Sequence, residues 1–375
     1  MSDSSQKPGL APELQLRARW HRPGFSLDVD VRLPARGVSV VLGASGSGKT
    51  TCLRILAGLE PQAVGRIAIA DTVWQDTSQG IFVPTHQRAV GYVFQEASLF
   101  SHLSVEGNLK FGFERTPVAQ RRLAWDESVQ LLGIAQLLKR MPHALSGGEH
   151  QRVAIARALA ASPHVLLMDE PLAALDGARK AEILPWLERL HRALQIPMVV
   201  VTHSPDELAR LADHVLLLDA GRVLAQGPVS ALLTRLDLPL AHSDTAAALV
   251  DTRVTENATV DFLCTLQFDG GRLLLPQSRS PATPMHGRIR VRIQARDVSV
   301  SLQMPQQTSV LNILPAQVED MAEDGHGQVL LGLRVGTGVE STRLLSRISL
   351  LSARKLGIAP GMAVFAQIKG VSMVR

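Results

Sequence analysis

Cysteine is almost missing from this chain: among 375 residues there are two, Cys52 and Cys264, far apart in sequence. That excludes a disulfide framework and a cysteine-rich metal cluster, and it fits a reducing compartment. No apolar run is long enough to cross a bilayer, so any membrane association is expected to come through another subunit. No compact Lys/Arg block occurs, and a formal net charge of +5 is mild for this length, so composition argues for neither nucleic acid nor an anionic membrane surface as partner. The opening MSDSSQKPGLAPE lacks the apolar core of a signal peptide and any basic amphipathic pattern, and no targeting segment is expected. What is present, 46% hydrophobic and 19% charged residues, describes a soluble, somewhat apolar protein with length for two or three domains.

The chain is organised around GASGSGKT, Gly43 to Thr50. It satisfies every fixed position of the GxxxxGK[ST] phosphate loop, follows the apolar run Val38 to Leu42 and precedes the helical TCLRILAGL. Gly43, Gly46 and Gly48 permit the tight turn that points the backbone N–H groups of this loop, Ala44, Ser45 and Ser47 included, at phosphate oxygens. The helix start that follows adds further donors and a favourable dipole. Lys49 is expected to reach the β- and γ-phosphates and the Thr50 hydroxyl to hold Mg²⁺.

Upstream, Leu14 to Ala18 and Phe25 to Val31 read as strands joined by the turn WHRPG. Trp20, with Phe25 as second choice, either lays its ring against a purine or packs half-buried; the residues leave both open. Downstream, Gly65 to Ala70 and AVGYVFQ, ending at Gln95, read as strands. Ser104 caps a helical stretch from Val105 to about Met141, an insertion within an α/β sheet that resumes at Val165.

LSGGEHQR, Leu145 to Arg152, is the second strong signal. Ser146 and Glu149 form a capping-box pattern, and Gly147 and Gly148 leave backbone donors exposed, which makes this helix start a second anion site without a lysine. The strand HVLLMDE then ends in two carboxylates. Asp169 is placed to hold Mg²⁺ and Glu170 to orient an attacking water, with Asp176 closing the turn that follows. Thr202 and His203 end the strand Met198 to Val201, where a histidine beside nucleotide chemistry is a γ-phosphate contact or a structural residue. Beyond about Ala248 the pattern turns to period-two strands with glycine turns, the mark of a small barrel.

Together these segments resemble the ATP-binding subunits of ABC transporters over almost the whole chain, through GASGSGKT, Gln95 in VFQEA, LSGGEHQR, LLMDE, LAALD and VTHS. The resemblance implies ATP and Mg²⁺ as ligands and a head-to-tail homodimer. In that dimer Lys49 and Thr50 of one subunit share a nucleotide with Ser146, Gly147, Gly148 and Glu149 of the other, and Asp176 lies in the D-loop between them. It implies Glu170 as general base, His203 as γ-phosphate sensor, Gln95 as Mg²⁺ and coupling residue, and Trp20 as the adenine-stacking residue. It further implies an integral membrane permease dimer that meets the insertion at Leu99 and Phe100, and a peripheral place on the cytoplasmic face of the bacterial inner membrane.

YVFQEASLFSHLSVEGNLKFG, LLMDEPLAALDGARKAEILPWLERL and HSPDELARLAD resemble molybdate importer ATPases in particular, with a periplasmic or extracellular molybdate-binding protein as indirect partner and tungstate as the alternative oxyanion. The tail resembles the molybdate-binding (TOBE/Mop) module. Ser309, Asn312 and Lys369 match its oxyanion positions, Ser349 is a further candidate, and Val310 and Leu311 stand where the module often has Ala and Arg. The expected architecture is α/β, a P-loop nucleotide-binding domain with helical insertion followed by a small all-β barrel-like (OB/TOBE-type) domain. Its expected bounds are 1–235 for the ATP-binding domain (helical subdomain about 96–150), 236–285 for a linker and the start of the β region, and 286–375 for the TOBE/Mop-like domain. A sulfate, iron, sugar or polyamine importer ATPase shares every nucleotide motif. A soluble ABC protein acting on nucleic acid or ribosomes is the alternative of another class, against which stand the single nucleotide domain and the lack of a zinc module or basic linker.

Overall fold

In a computed structural model, residues 13–122, 124–258, 261–276, 287–325, 327–337 and 340–374 are described. The polar stretch before Glu13 and the terminal Arg375 lie outside them. The chain divides into two compact units, Met1–Gly227 and Pro228–Arg375.

The first unit is built on one sheet whose centre is parallel and whose flank is antiparallel. Its strands are β1 (Glu13–Arg22), β2 (Phe25–Pro34), β3 (Val38–Leu42), β4 (Val64–Ile69), β5 (Thr72–Asp76), β6 (Ile81–Phe82), β7 (Val90–Val93), β8 (Val165–Asp169), β9 (Met198–Val201), β10 (His214–Asp219) and β11 (Arg222–Pro228). The order is β6-β5-β4-β1-β2-β11-β10-β3-β9-β8-β7. The parallel strands β3, β8 and β9 are buried at every residue, which is why they read as continuous apolar runs. In β2 buried and exposed residues alternate, as expected of a sheet flank with one wet face. The turn between β1 and β2 is only Pro23 and Gly24, so Trp20 to Arg22 belong to the strand and not to the turn expected there.

The helices are α1 (Lys49–Ala57), α2 (Val105–Phe113), α3 (Trp125–Leu132), α4 (Gly147–Ala160), α5 (Gly177–Leu194) and α6 (Pro205–Leu211). The insertion expected to be helical from Val105 to Met141 is broken into α2, α3 and short 3₁₀ turns. Pro117 and Pro142 open two of those turns, and Gly133 ends α3 in a left-handed conformation, where a residue without Cβ is favoured. Ser104 does cap α2, its hydroxyl accepting from the Gly107 N–H at 3.2 Å. Trp186 of α5 donates its indole N–H to the Leu132 carbonyl at 3.1 Å, tying the insertion to the core.

α1 ends on a cation that sequence reading passed over. The Arg88 guanidinium donates to the carbonyls of Ile55 (3.1 Å) and Leu56 (2.8 Å) and stacks over Trp74 and Phe82. It satisfies orphan carbonyls at the negative end of the helix dipole. Burial pulls its pKa down to about 10, still well above neutrality.

The second unit starts with α7 (Val229–Leu232) and continues through β12 (Ala247–Ala258), β13 (Leu263–Phe268), β14 (Gly271–Pro276), β15 (Arg288–Gln294), β16 (Val298–Ser301), β17 (Asn312–Glu323), β18 (Gln328–Thr337), β19 (Glu340–Ser349), α8 (Leu350–Lys355), β20 (Ala363–Ile368) and β21 (Ser372–Met373). Two five-stranded sheets, β14-β13-β12-β15-β21 and β16-β20-β17-β18-β19, share one core that includes Leu266, Leu273, Val291, Val318, Leu331 and Val335. The expected division near residue 235 therefore shifts to Gly227/Pro228, and the stretch 236–285 holds β12, β13 and β14. The physical reason is burial: Leu236, Ala241 and Ala246 pack with Ala295, Leu330 and Leu345, whereas a linker would be solvated.

His242 fastens that segment. Its Nδ1 lies 2.5 Å from Asp324 Oδ1 and its Nε2 2.8 Å from the Leu236 carbonyl oxygen, while Arg347 ion-pairs Asp324 at 2.8 Å and donates to the Ser243 carbonyl. Two acceptors are both satisfied only when both ring nitrogens carry protons. The Leu236 carbonyl and Asp324 raise the His242 pKa above its ordinary value, against burial and the Arg347 charge. A histidine pKa raised by folding adds stability that is complete below the unfolded value and is lost as pH rises through the folded one. Urea denaturation of the full chain is thus expected to show wild type ahead of His242→Gln at about pH 6 and level with it at about pH 9. A gap that does not change with pH would show that the imidazolium is not involved.

Candidate functional site

The phosphate loop lies between the end of β3 and the start of α1, and three of its glycines have positive φ: Gly43 (149°), Gly46 (79°) and Gly48 (100°). Space as well as φ restricts two of them. A Cβ on Gly43 would collide with the Leu218 carbonyl and stand 2.5 Å from Ser47 Oγ; one on Gly48 would stand 2.7 Å from Leu27 Cδ1 and 2.9 Å from Phe25 Cζ. The Gly221 N–H, from the turn after β10, donates to the Ser47 carbonyl at 3.1 Å. Ser47 Oγ is buried without a partner. Lys49, 9% exposed, donates through Nζ to the carbonyls of Gly43 (2.9 Å) and Ala44 (2.8 Å). The loop is thus a preformed cradle whose ammonium is held at its rim, and this donor set fits the phosphates of a nucleotide.

The Thr50 hydroxyl donates to Asp169 Oδ1 at 3.0 Å, which brings together two of the three residues expected to hold Mg²⁺. An alcohol and a carboxylate, both oxygen donors beside a phosphate cradle, fit that ion. Burial raises the Asp169 pKa, helped by the neighbouring Glu170 charge and opposed by Thr50, by Tyr92 and by Lys49. Glu170 has φ +45°, the left-handed region that a non-glycine residue enters only when its surroundings hold it there. Its N–H donates to the Val201 carbonyl at 3.0 Å, and its Oε2 stands 3.5 Å from Nδ1 of the exposed His203. Behind His203, Thr202 Oγ1 donates to Glu207 Oε2 at 2.6 Å and Lys180 Nζ reaches Glu207 Oε1 at 3.1 Å. Glu207 is 2% exposed, so its two bonds, one to the buried Thr202 and one to the half-buried Lys180, fix the segment carrying His203. Sequence reading missed them, although the Glu207 and Lys180 charges beside apolar positions are their visible trace.

Gln95 is exposed and lies in the bend after β7, beyond the strand expected to end on it. Among the described residues no hydrogen bond joins it to Thr50 or Asp169. Trp20 stands 6.4 Å from Phe25 between ring centroids, with Arg22 over both rings at 5.7 and 5.8 Å. Phe25 in turn touches the Gly48 position, so Trp20 is attached through one aromatic neighbour to the cradle. Its indole N–H is buried and unpartnered.

Ser146 and Glu149 form the expected reciprocal capping box at the head of α4. The Ser146 N–H donates to Glu149 Oε2 at 2.8 Å, and the Glu149 N–H donates to Ser146 Oγ at 3.3 Å. The Ser146 N–H lowers the Glu149 pKa. Because Ser146 Oγ is used as an acceptor, its proton is available to a further oxygen. Asp176 caps α5, accepting from the Arg179 N–H at 2.9 Å. Among the described residues no hydrogen bond or ion pair joins Ser146, Gly147, Gly148 or Glu149 to the phosphate loop of the same chain.

The four oxyanion candidates do not converge. Asn312 pairs with Ile368, next to Lys369, and the exposed Ser309 lies three residues before it. Ser349 instead pairs with Gln328 at the other end of β18, where it caps α8 by accepting from the Ser352 N–H at 3.0 Å. The Asn312 amide bonds the backbone of one residue on both its sides: its Oδ1 accepts from the Leu274 N–H at 2.7 Å and its Nδ2 donates to the Leu274 carbonyl at 2.9 Å. It replaces a strand-to-strand backbone pair and stitches β17 to β14, with its second N–H left over beside the side chains of Ser309 and Lys369 as candidate donors.

Residues 27–173 match the ABC transporter family and residues 308–374 the TOBE domain. The molybdenum import ATP-binding protein ModC of Albidiferax ferrireducens is 54% identical over 361 residues, 96% of each chain. That of Aromatoleum aromaticum is 54% identical over 353 residues, 94% of this chain and 92% of its own. ModC 1 of Azotobacter vinelandii is 51% identical over 365 residues, 97% and 99% of the two chains. Among solved structures, cbiO1 from Clostridium perfringens, part of the ABC transporter complex cbiONQ, matches with TM-score 0.51 and 27% identity over 60% of this chain and 91% of that one.

Proposed function

Since this chain belongs to the ABC transporter ATP-binding family, with molybdenum import ATP-binding proteins as close relatives and a TOBE domain at its C-terminal end, we propose that it hydrolyses ATP to drive molybdate import. The observation that carries this reading is identity above half along nearly the full chain, tail included, to relatives named for molybdenum import.

In the mechanism we propose, two copies meet head to tail. The cradle of one copy and Lys49 bind the β- and γ-phosphates, and Trp20 takes the adenine face. The Ser146 hydroxyl and the N–H groups of Gly147 and Gly148 in the second copy close over the γ-phosphate, with Glu149 holding their helix start and Asp176 at the seam. Mg²⁺ when bound supplies positive charge at the β- and γ-phosphate oxygens, and Thr50, Asp169 and Gln95 would hold it. Glu170 accepts a proton from water, the water oxygen forms a bond to the γ-phosphorus in line, and the bond to the ADP oxygen breaks. His203, beside Glu170, contacts the γ-phosphate and orients the carboxylate. Loss of the γ-phosphate removes what joins the two copies, which turns nucleotide state into motion of a permease seated against Leu99, Phe100 and Phe111. Phe111 is 42% exposed, and its ring lies 4.7 Å from that of Phe100. The subunit would sit peripherally on the cytoplasmic face of the membrane, with a molybdate-binding protein on the other side. No described helix is long and apolar enough to cross a membrane.

ATPase activity of the chain reconstituted with its permease and binding protein tests the cargo. Stimulation is expected with molybdate- or tungstate-loaded binding protein and not with sulfate or maltose. Stimulation by another solute would overturn the cargo and leave the energising mechanism. Molybdate added on the nucleotide side of the same system tests the tail: a response lost in Lys369→Ala supports an oxyanion contact there, and no response removes it.

A further inference from the structure

Arg22 ends β1 at the hairpin turn, is exposed, and takes no part in the mechanism proposed for the cradle. β1 and β2 are antiparallel, with Trp20 opposite Leu27 and Arg22 opposite Phe25. Residues two apart on one strand, and residues directly opposite on its neighbour, point to the same face, so Trp20, Arg22, Phe25 and Leu27 share one face of the hairpin. That face meets the phosphate loop: Phe25 Cζ and Leu27 Cδ1 are the atoms that a Cβ on Gly48 would strike, at 2.9 and 2.7 Å. Trp20 and Phe25 are half-buried against the core of the first unit, which leaves their outer sides to Arg22. Its Cζ stands over both rings, 5.7 Å from the Trp20 centroid and 5.8 Å from that of Phe25. Among the described residues no hydrogen bond or ion pair engages the guanidinium, so ring faces alone hold this cation.

We propose that Arg22 is a further nucleotide-binding residue: its guanidinium covers the outer side of the Trp20 ring while the site is empty and, when a purine lies against that ring, moves outward to stack on the purine's other face. Two properties suit it to this exchange. A guanidinium is planar, weakly hydrated and stacks on aromatic faces, and a side chain without an ion pair gives up no bond in moving. The purine then lies between Trp20 and Arg22, while the phosphates stay with the cradle and Lys49. The inference rests on reading Trp20 as the residue against the purine.

Calorimetric titration of the full chain with ATP and with inorganic tripolyphosphate, both in the presence of a chelator so that no hydrolysis occurs, tests this, because the second ligand carries phosphates without a purine. Arg22→Ala is expected to weaken ATP binding by about fivefold and to leave tripolyphosphate binding unchanged, which also shows that the cradle is intact. Tighter ATP binding would mean that Arg22 only fills the place of the purine, and an unchanged ATP affinity that it takes no part; either overturns the proposal. An equal loss for both ligands overturns it too, since the guanidinium would then act on the phosphates or on the fold. Trp20→Leu separates the premise. If it weakens ATP but not tripolyphosphate while Arg22→Ala changes neither, the role of Arg22 alone is removed. If ATP affinity is unchanged in Trp20→Leu, the purine reading beneath it fails.

Discussion

Replacing Glu170 by Gln is expected to slow ATP hydrolysis by about 10²–10⁴-fold, the range in which a positioned general base contributes, with ATP affinity nearly intact. The cradle of Gly43 to Lys49 does not involve this side chain. The substituted amide keeps the shape that the left-handed backbone at φ +45° presents to His203 but cannot accept the proton of the attacking water. ATP then stays between two copies, and a stable dimer accumulates. Light scattering behind gel filtration, with ATP and Mg²⁺ present, should show the dimer, and a chelator should disperse it. Only monomer under those conditions, or turnover near that of wild type, would refute Glu170 as the base.

Lys49→Ala is expected to act earlier, on binding. Nζ is buried and already oriented by the carbonyls of Gly43 and Ala44, so little side-chain freedom is lost when phosphates arrive. Hydrogen bonds to charged groups are worth about 1.5–3 kcal/mol each, and losing one or two lowers ATP affinity by about 100-fold. The dimer seen with Glu170→Gln should therefore not form at ATP concentrations that saturate wild type. Equilibrium binding of a fluorescent ATP analogue measures this directly, and a dissociation constant close to wild type would remove Lys49 from phosphate binding. The pair of variants separates holding the nucleotide from cleaving it.

What was legible in the sequence follows from range. The phosphate loop, the Ser146–Glu149 box, the Ser104 cap and the strands ending at Asp169 and Val201 are local patterns whose partners lie within a few residues, and each stands where its residues put it. Long-range contacts left no such trace. Arg88 capping α1 from 32 residues away, Lys180 reaching Glu207 and Asn312 bonding Leu274 depend on the fold bringing distant residues together. Asn312 has a structural part that its motif position does not reveal, since its amide joins two strands. The tail's early start was hidden because Ala246, Ala247 and Ala248 carry burial without an alternating pattern.

Cys52 lies in α1 directly behind the cradle, 1% exposed, and burial pushes its thiol up to about 12; Cys264 is buried in the second unit and raised as well. A thiol that is neither accessible nor ionised does not react with maleimides on ordinary timescales. The native chain is in effect already silent to cysteine chemistry. New cysteines introduced at Ser45 and at Gly147 would be its only reactive pair, and cross-linking between two copies could then report the closing of the nucleotide seam without any native cysteine first being removed.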